Sequence, residues 1–518
     1  MEAEGLAAVQ RYTLHGWCGL TRNPERAAAT VAALLGGLLL LAIPAGDPPV
    51  PGAPASGGPF AWSQDSLWQA LEARYLAAKG VGCDRIESAA APELGALEAL
   101  VNGLGVLVLD PSQPVFSQIE SRFMALGASV AACPALLADY VALSARLREA
   151  VKRQSVRWGL ADRAARERLY RLLYGARAAV EEVMLHHPDR AVPLFLGTNE
   201  PSAAPAATVQ GVEIHSGDIL VSRGGYPTSA LIARGNDYPG NFSHIGLVHV
   251  DLESQAVSVI EAHIESGVAV TTADGYLRDK KLRVMVLRPR ADLRQLVADP
   301  LLPHRAASLA LERARAGHVP YDFAMDYTDP AQLFCSEVAS SVYGDLGVTL
   351  WTGLSTISRP GLRRWLAGFG VRQFATQEPS DLEYDPQLVV VAEWRDGAAL
   401  LQDHIDNAVV DVMLERADAG EDIPYSWHKL PPARLAKAYS WVRVLLGGRG
   451  PIPEGMSAAS ALRHEAFVVR QRTLADQVRA VVVRRTASQG YPPPYWVLVE
   501  IAREQASRPG VHSAARSP

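Results

Sequence analysis

The stretch SHIGLVHVDLESQAVSVIEAHIESGVAVTT (243–272) decides the fold of the central part of this chain. It contains three runs rich in valine and isoleucine, HIGLVHV, AVSVIEAH and GVAVTT, which are separated by short polar segments with Asp, Glu, Ser and Gly. Runs of β-branched residues of this length, with turn residues between them, predict strands that are joined as hairpins. We therefore expect an antiparallel sheet in this part of the chain.

More strands surround this stretch, and two helices follow it. The run DILVSR (218–223) precedes it and LRVMVLRPR (282–290) follows it, and both have the apolar content of buried strands. The segment PHRAASLALERARAG (303–317) has helical spacing, and a second helix is expected to begin near Cys335. Several antiparallel strands beside two helices predict an α+β domain.

The regions on either side of this domain have a mainly helical sequence pattern. Residues 60–190 carry apolar positions at helical spacing, and after about residue 380 one strand, QLVVVAEWRD, is followed mainly by helices. We therefore divide the chain into a cytoplasmic n-region (1–26), a transmembrane anchor or signal peptide (27–46), a linker (47–60), a helical domain (61–198), a second linker (199–210), the α+β domain (211–380), a strand with C-terminal helices (381–508) and a disordered tail (509–518).

The N-terminal run AAATVAALLGGLLLLAIPAG (27–46) contains no charged residue and follows Arg11, Arg22 and Arg26. About 20 apolar residues can span a bilayer, and the basic flank predicts that the N-terminus stays in the cytoplasm. The Pro-, Gly- and Ala-rich sequence that follows could instead hold a signal-peptidase site, so an anchor and a cleaved signal both remain open. Either way we expect the chain at a bacterial inner membrane facing the periplasm, or periplasmic or secreted after cleavage.

Charge and length exclude one class of partner. The net charge of −5 over 518 residues argues against a protein that binds nucleic acid by neutralising phosphates. The Arg- and Glu-rich segment 134–187 is typical of a helical hairpin with a solvated charged face, and a docking surface for a protein partner or anionic lipid is the less favoured interpretation.

Four cysteines are present, and their placement singles out one of them. Cys18 precedes the apolar run, whereas Cys83 and Cys133 lie in the helical region and could form a disulfide in an oxidising compartment. That pairing leaves Cys335 without a partner, and an unpaired extracytoplasmic thiol requires an explanation.

Cys335 lies in AQLFCSEVAS (331–340), at the predicted start of a helix. The helix dipole and the free N–H groups of the first turn are expected to lower the pKa of its thiol. Its own N–H would point to the position of an oxyanion. A nucleophile also needs a base, and the α+β domain offers His215, His244, His249, His263 and His318.

Strand parity narrows this choice. His244 begins an apolar strand, which suits a residue that faces a site at a strand end. On the next strand Glu261 and His263 share one face, and an acidic residue within VSVIEA is hard to explain by solubility alone. We therefore predict Cys335 as nucleophile, His244 as general base and Glu261 as the residue that orients the imidazole, with His263 as the alternative for the third position.

Other catalytic classes lack their motifs. CxxC, HxxxH and HExxH are absent, so no metal is predicted, and no cofactor is required by the proposed chemistry. The G-x-S-x-G motif of serine hydrolases is also absent.

The order of six segments resembles that of the permuted papain-like amidases of the YiiX/YaeF type, relatives of the NlpC-type cell-wall peptidases. These segments are GDILVSR, SHIGLVHV, VIEA, GVAVTT, residues 317–322 and FCSEV. In that family the histidine strand precedes the cysteine helix. The resemblance covers residues 211–375 and implies a circularly permuted papain-like domain with an antiparallel sheet, flanked here by N- and C-terminal helical regions that the minimal domain lacks.

By position, the resemblance implies the same Cys335, His244 and Glu261 set. It also implies that Tyr321 contacts substrate, that Asp218 is structural, and that Ser243 is structural or lines the site. The long loop GGYPTSALIARGNDYPGN (224–241), with Tyr226, departs from the family pattern, and we expect it to form a wall of the substrate pocket.

Three functions remain open at this point. The first is a cysteine hydrolase that cleaves an amide bond through a thioester, with peptidoglycan-type peptides as the substrate that an extracytoplasmic location favours. The second is a lipid acyl hydrolase or acyltransferase, because the superfamily includes such enzymes. The third is a non-catalytic, membrane-tethered binding scaffold, although the presence of cysteine, histidine and glutamate in a suitable order argues against it.

Overall fold

The structure is a computed structural model that describes residues 65–190 and 193–508, together with positions 37, 40–44, 46, 49–50 and 58–60. The predicted n-region, most of the predicted anchor or signal (27–46) and the predicted tail lie outside the described residues. Within the described part, no helix combines the length and the apolar character that crossing a bilayer requires.

The N-terminal region is helical, as its apolar spacing predicts. The side chain of Asp162 accepts a hydrogen bond from the Ala165 N–H and caps one helix, and Pro114 begins another at a position where its missing N–H has no cost. A disulfide joins Cys83 to Cys133, whose Cα atoms lie 4.9 Å apart. The helices are α1 (Asp65–Lys79), α2 (Cys83–Gly103), α3 (Pro114–Ala132), α4 (Leu137–Ser155) and α5 (Arg163–His186).

The predicted antiparallel sheet is confirmed and has seven strands. Its order is β1-β11-β8-β4-β5-β6-β7, and every neighbouring pair is antiparallel. The strands are β1 (Leu194–Leu196), β2 (Ala206–Val209), β3 (Val212–His215), β4 (Ile219–Gly224), β5 (His244–Val250), β6 (Val257–His263), β7 (Gly267–Thr272), β8 (Lys281–Pro289), β9 (Ser355–Thr356), β10 (Ala375–Thr376) and β11 (Leu388–Arg395), of which β2–β3 and β9–β10 form separate two-stranded sheets.

Helices cover the sheet and connect its strands. The buried carboxylate of Asp218 binds the Arg288 guanidinium at 2.8 Å and accepts the His215 N–H, and so fixes the turn that leads into β4. The helices of this part are α6 (Pro227–Arg234), α7 (Ala273–Arg278), α8 (Arg294–Ala298), α9 (Leu302–Ala316), α10 (Glu337–Asp345), α11 (Pro360–Phe369) and α12 (Asp381–Tyr384).

The C-terminal region is helical and packs on the rest of the chain. Its first helix, α13 (Gly397–Asp418), contacts α5, α6, α11 and β8. One apolar core runs without interruption from the N-terminal helices into the sheet, from Leu97 through Ile245 to Leu388. The C-terminal helices are α13 (Gly397–Asp418), α14 (Leu430–Leu445), α15 (Ala458–Gln489) and α16 (Tyr495–Ala506).

A buried network of ion pairs joins these regions. Arg177 of α5 binds Glu383 of α12 and Glu393 of β11, and Glu181, one turn along α5, accepts from Arg283 of β8. All five side chains are at most 4% exposed. The helical and α+β regions therefore share charged as well as apolar contacts.

Candidate active site

The imidazole of His244 stands at the first residue of β5, where the strand emerges from a buried loop. Its Nε2–H donates to Oε2 of Glu261 at 2.6 Å. The strand register explains this contact, because Gly246 on β5 faces Glu261 on β6 and brings the strand end within reach of the carboxylate. The structure thus brings together two of the residues that strand parity selects.

Glu261 also holds a second histidine. Its Oε1 lies 3.2 Å from Nε2 of His263, and the His244 and His263 rings are 5.6 Å apart. The two histidines differ in accessibility, since the His244 side chain is 16% exposed and that of His263 is 35% exposed. His263 therefore shares the carboxylate with His244 and does not replace it.

The helix α7 places Tyr276 against β5 and near His244. A Cβ atom on Gly246 would lie 2.5 Å from Cγ1 of Val259 and 3.2 Å from the Tyr276 ring, so only glycine leaves room for that ring. The Tyr276 hydroxyl donates to Ser222 Oγ at 2.8 Å, and its ring centroid lies 6.4 Å from that of His244. Tyr276 thus packs beside the imidazole.

Cys335 lies in a turn two residues before α10, and it is 4% exposed. Among the described cysteines it is the one outside a disulfide. The backbone N–H of Ile245 and residue Ser336 lie close enough to its sulfur to lower the pKa of the thiol. Since Ile245 directly follows His244, the thiol lies beside the same end of β5. The Glu337 carboxylate accepts the Phe334 N–H at 2.9 Å and fixes the turn.

The pKa of the Cys335 thiol differs from the sequence-based expectation. Burial, followed by the charge of Glu378, raises this pKa to about 12, although hydrogen bonds to the sulfur lower it. The prediction that the helix terminus lowers the pKa was wrong, because α10 begins only at Glu337 and the loss of solvation outweighs the groups that lower the thiol pKa. At neutral pH the resting group is a thiol.

The pKa values of His244 and Glu261, the two proposed partners of Cys335, are both lowered. Burial lowers the pKa of His244 and outweighs the hydrogen bond from its ring to Glu261, so the imidazole is neutral at pH 7. For Glu261, burial acts to raise the pKa, but the hydrogen bonds from His244 and His263 hold it far below its usual range. A neutral imidazole on an ionised carboxylate can accept a proton.

A cavity of about 110 Å³ adjoins Cys335. Its walls are mostly apolar and come from distant parts of the sequence: α6, the loop before Cys335, α11 and the C-terminal region. The apolar side chains include Leu231, Ile264, Phe323, Phe334, Phe369 and Met456.

The predicted substrate-contacting residues fall in three different places. Tyr321 lines the cavity with Cys335. Ser243 is buried and lies 3.5 Å from the Ser222 carbonyl, a contact with the backbone of β4. Tyr226 is 47% exposed, stands outside the cavity lining, and has the Lys280 ammonium 5.9 Å from its ring centroid. The same long loop reaches the cavity through Thr228 and Leu231 of α6.

Glu378 is a site residue that sequence reasoning missed. It is 4% exposed, lines the cavity, and its charge acts on Cys335. Burial, together with the nearby Asp381, raises the pKa of Glu378 well above its usual range. No spacing in the segment 376–384 distinguishes Glu378 from its acidic neighbours, because its proximity to the thiol arises from long-range packing.

One group of side chains could hold a metal ion. The ligand atoms of His244, Glu261 and His263 lie within 4.8 Å of one another, although their sequence spacing matches no motif for metal binding. Two imidazoles and a carboxylate form a donor set that suits a divalent transition metal. In the described arrangement both carboxylate oxygens already accept imidazole N–H groups, so metal binding would compete with the His–Glu contacts.

Part of this chain is similar to known proteins. Residues 213–392 match a family model described as permuted papain-like amidase enzyme, YaeF/YiiX. The chain is also similar to a crystal structure of metalloprotein yiiX from Escherichia coli O157:H7, at 20% sequence identity and a TM-score of 0.28. The match covers 35% of this chain and 97% of the yiiX chain. No curated protein matches the chain. The family that the ordered motifs resemble is therefore the one whose model matches, and the matched residues cover most of the α+β region.

Proposed function

We propose that this permuted papain-like domain hydrolyses an amide bond through a thioester on Cys335. The observation that carries the proposal is the 2.6 Å contact of His244 with Glu261 at the end of β5, where the Ile245 N–H lies near the Cys335 sulfur. Cysteine, histidine and a carboxylate are the three side-chain types that nucleophilic catalysis by cysteine requires.

The proposed reaction begins with proton transfer. Because Glu261 holds Nε2–H of His244, the other ring nitrogen, Nδ1, is available to take the Cys335 thiol proton. The sulfur then attacks the carbonyl carbon, and the Cys335 N–H supplies part of the oxyanion hole. The amine leaves with the proton from Nδ1, and a water molecule, activated by the same nitrogen, hydrolyses the thioester to the acid and the free thiol.

The pKa shifts favour general-base catalysis. A thiol whose pKa is raised to about 12 and an imidazole whose pKa is lowered coexist as neutral groups before substrate binds. We therefore propose that thiol deprotonation accompanies attack on the carbonyl, and that Glu261 stabilises the imidazolium as it forms.

Peptidoglycan-type peptides are the first candidate substrate, on the basis of the amidase family and the proposed extracytoplasmic location. Two features support that location: the uncharged run 27–46 and the disulfide between Cys83 and Cys133. Disulfides persist mainly in oxidising compartments such as the bacterial periplasm.

An acyl-lipid is the second candidate substrate, and one observation favours it. The cavity at Cys335 has walls of Leu231, Ile264, Phe334 and similar side chains, which suit an aliphatic chain better than a charged stem peptide. The same cysteine chemistry then acts on an amide- or ester-linked fatty acyl group.

Incubation of the purified chain with muropeptides and, separately, with phospholipids and N-acyl amines tests the proposal. We expect mass spectrometry to detect one hydrolysed class, and we expect Cys335→Ala to abolish its turnover. A thiol-directed acyl probe should label wild-type Cys335 and label His244→Ala more slowly. Equal turnover by Cys335→Ala would reject the nucleophile, whereas the identity of the product class separates the two substrates.

A further inference from the structure

The helix α14 has a broad apolar face exposed to solvent. This face, which we call the α14 patch, contains residues that are between 47% and 78% exposed, with Trp441 at 64% and Leu446 at 78%. Trp427, just before the helix, is also 64% exposed. The α14 patch consists of Leu435, Tyr439, Trp441, Val442, Leu445 and Leu446.

The α14 patch is distinct from the face that packs on the protein. The buried side of the helix carries Leu430, Ala433 and Ser440, and it contacts a small core that includes Ile452 and Met456. The exposed residues follow a helical stripe on the other side. A helix that is apolar on both sides is stable when the outer side also leaves water, so the α14 patch requires a covering partner.

The charge around the α14 patch indicates the chemistry of that partner. The segment from Ile423 to Pro453 contains no Asp or Glu, although the whole chain has a net charge of −5. Apolar and aromatic residues flanked by Lys and Arg are typical of helices that lie in a membrane interface, where basic groups contact anionic headgroups. The basic residues of this segment are Lys429, Arg434, Lys437, Arg443 and Arg449.

A second observation connects the same helix to the N-terminal apolar run. The Arg434 guanidinium donates to the backbone carbonyls of Leu40, Leu41 and Ile43, at 3.2, 2.7 and 2.7 Å. These carbonyls lie near the end of the uncharged run 27–46, and Leu40 is 68% exposed. Residues 40–43 of the apolar run therefore contact α14 beside the α14 patch.

We propose that the α14 patch docks onto a lipid bilayer that contains anionic lipids. Trp441, Leu445 and Leu446 enter the boundary between headgroups and acyl chains, at a depth of about 5–10 Å, and Arg443 and Arg449 contact phosphate groups. The patch acts in addition to the N-terminal run and sets the orientation of the domain. Met456 belongs both to the core beneath α14 and to the cavity at Cys335, so docking brings the cavity wall near the lipid surface.

A fluorescent label on the full-length chain tests this docking. In a Cys18→Ser, Cys335→Ala background, an environment-sensitive fluorophore is attached at Leu445→Cys, and vesicles contain phosphatidylcholine and phosphatidylglycerol with brominated acyl chains. We expect a blue shift and quenching of the label. The matched control is Val297→Cys on α8, an apolar residue that is 69% exposed, and its label should stay in water.

The control separates docking from simple anchoring, because both labelled chains carry the same N-terminal run. Arg443→Gln with Arg449→Gln should shift the docked equilibrium about 30-fold toward the undocked form on anionic vesicles. The proposal fails if the label at 445 stays in water on vesicles, or if the two labels respond equally. It also fails if the 445 label is shielded before vesicles are added, because a second copy or the chain's own N-terminal run then covers the patch.

Discussion

Two buried clusters of charged groups in this molecule differ in what their partners can do. At the end of β5 and β6, Glu261 is held by two histidines, one of them 35% exposed, so its partners can gain and lose protons. Between α5, β8 and β11, Glu181 and Glu393 are held mainly by arginines that are at most 7% exposed and stay charged. The first cluster is suited to proton transfer, and the second joins segments of the fold.

The largest expected effect is on the first cluster. We expect His244→Ala to lower turnover about 10²–10⁴-fold, the usual contribution of a general base, whereas His263 still contacts Glu261 and limits the loss in the free energy of unfolding. His249→Ala is the matched control, since it lies on the same strand and outside the Glu261 cluster. Steady-state kinetics and urea unfolding measure both quantities, and equal losses of activity in the two variants would contradict the comparison.

The reverse pattern is expected for the second cluster. Arg177→Met leaves the carboxylates of Glu383 and Glu393 buried without that guanidinium, and this should lower the free energy of unfolding by about 3–5 kcal/mol. Arg171→Met on the same helix removes a partly exposed pair with Glu120 and should cost less than about 1 kcal/mol. Urea unfolding of both variants decides whether burial causes the difference.

Histidines in the two clusters should give opposite pH slopes of stability. The pKa of His404 is raised above 6.5: burial lowers it, but the hydrogen bond to Glu181 and nearby carboxylates outweigh burial. Its stabilisation is therefore fully present below pH 6.5 and is lost as pH rises through the folded-state pKa. The pKa of His244 is lowered by burial, so its stabilisation is present above pH 6.5 and is lost as pH falls.

Urea unfolding on both sides of pH 6.5 measures these slopes. The stability difference between wild type and His404→Gln should shrink as pH rises, and the difference between wild type and His244→Gln should shrink as pH falls. Slopes of the same sign in both variants would show that the two environments do not differ as described.

The smallest expected effect concerns Glu378. The charge of the ionised Glu378 carboxylate contributes to the raised pKa of the Cys335 thiol, and each unit of that pKa makes thiolate formation about tenfold harder. We expect wild-type activity to fall on the alkaline side and Glu378→Gln, which stays neutral, to lose less. Glu312→Gln on α9, which is exposed, should keep the wild-type pH profile. Identical profiles for all three chains would remove Glu378 from the site.

Local patterns in the sequence predicted the family and part of the candidate site. The two-residue period of a strand predicts that Glu261 and His263 share a face, and the hairpin order places His244 within reach of them. The order of the histidine strand and the cysteine turn predicted the permuted papain-like domain that the family model matches. These features depend on residues close in sequence, where backbone geometry alone fixes the relation.

Tertiary packing decided the rest, for a physical reason that no local pattern contains. The thiol pKa was predicted in the wrong direction, because it depends on how completely Cys335 loses water and on the nearby Glu378. The cavity wall includes Met456 from the C-terminal region, more than a hundred residues from Cys335. Desolvation and long-range contacts exist only when distant segments pack together, so the sequence by itself determined which residues share a strand face, and the fold determined their electrostatic environment.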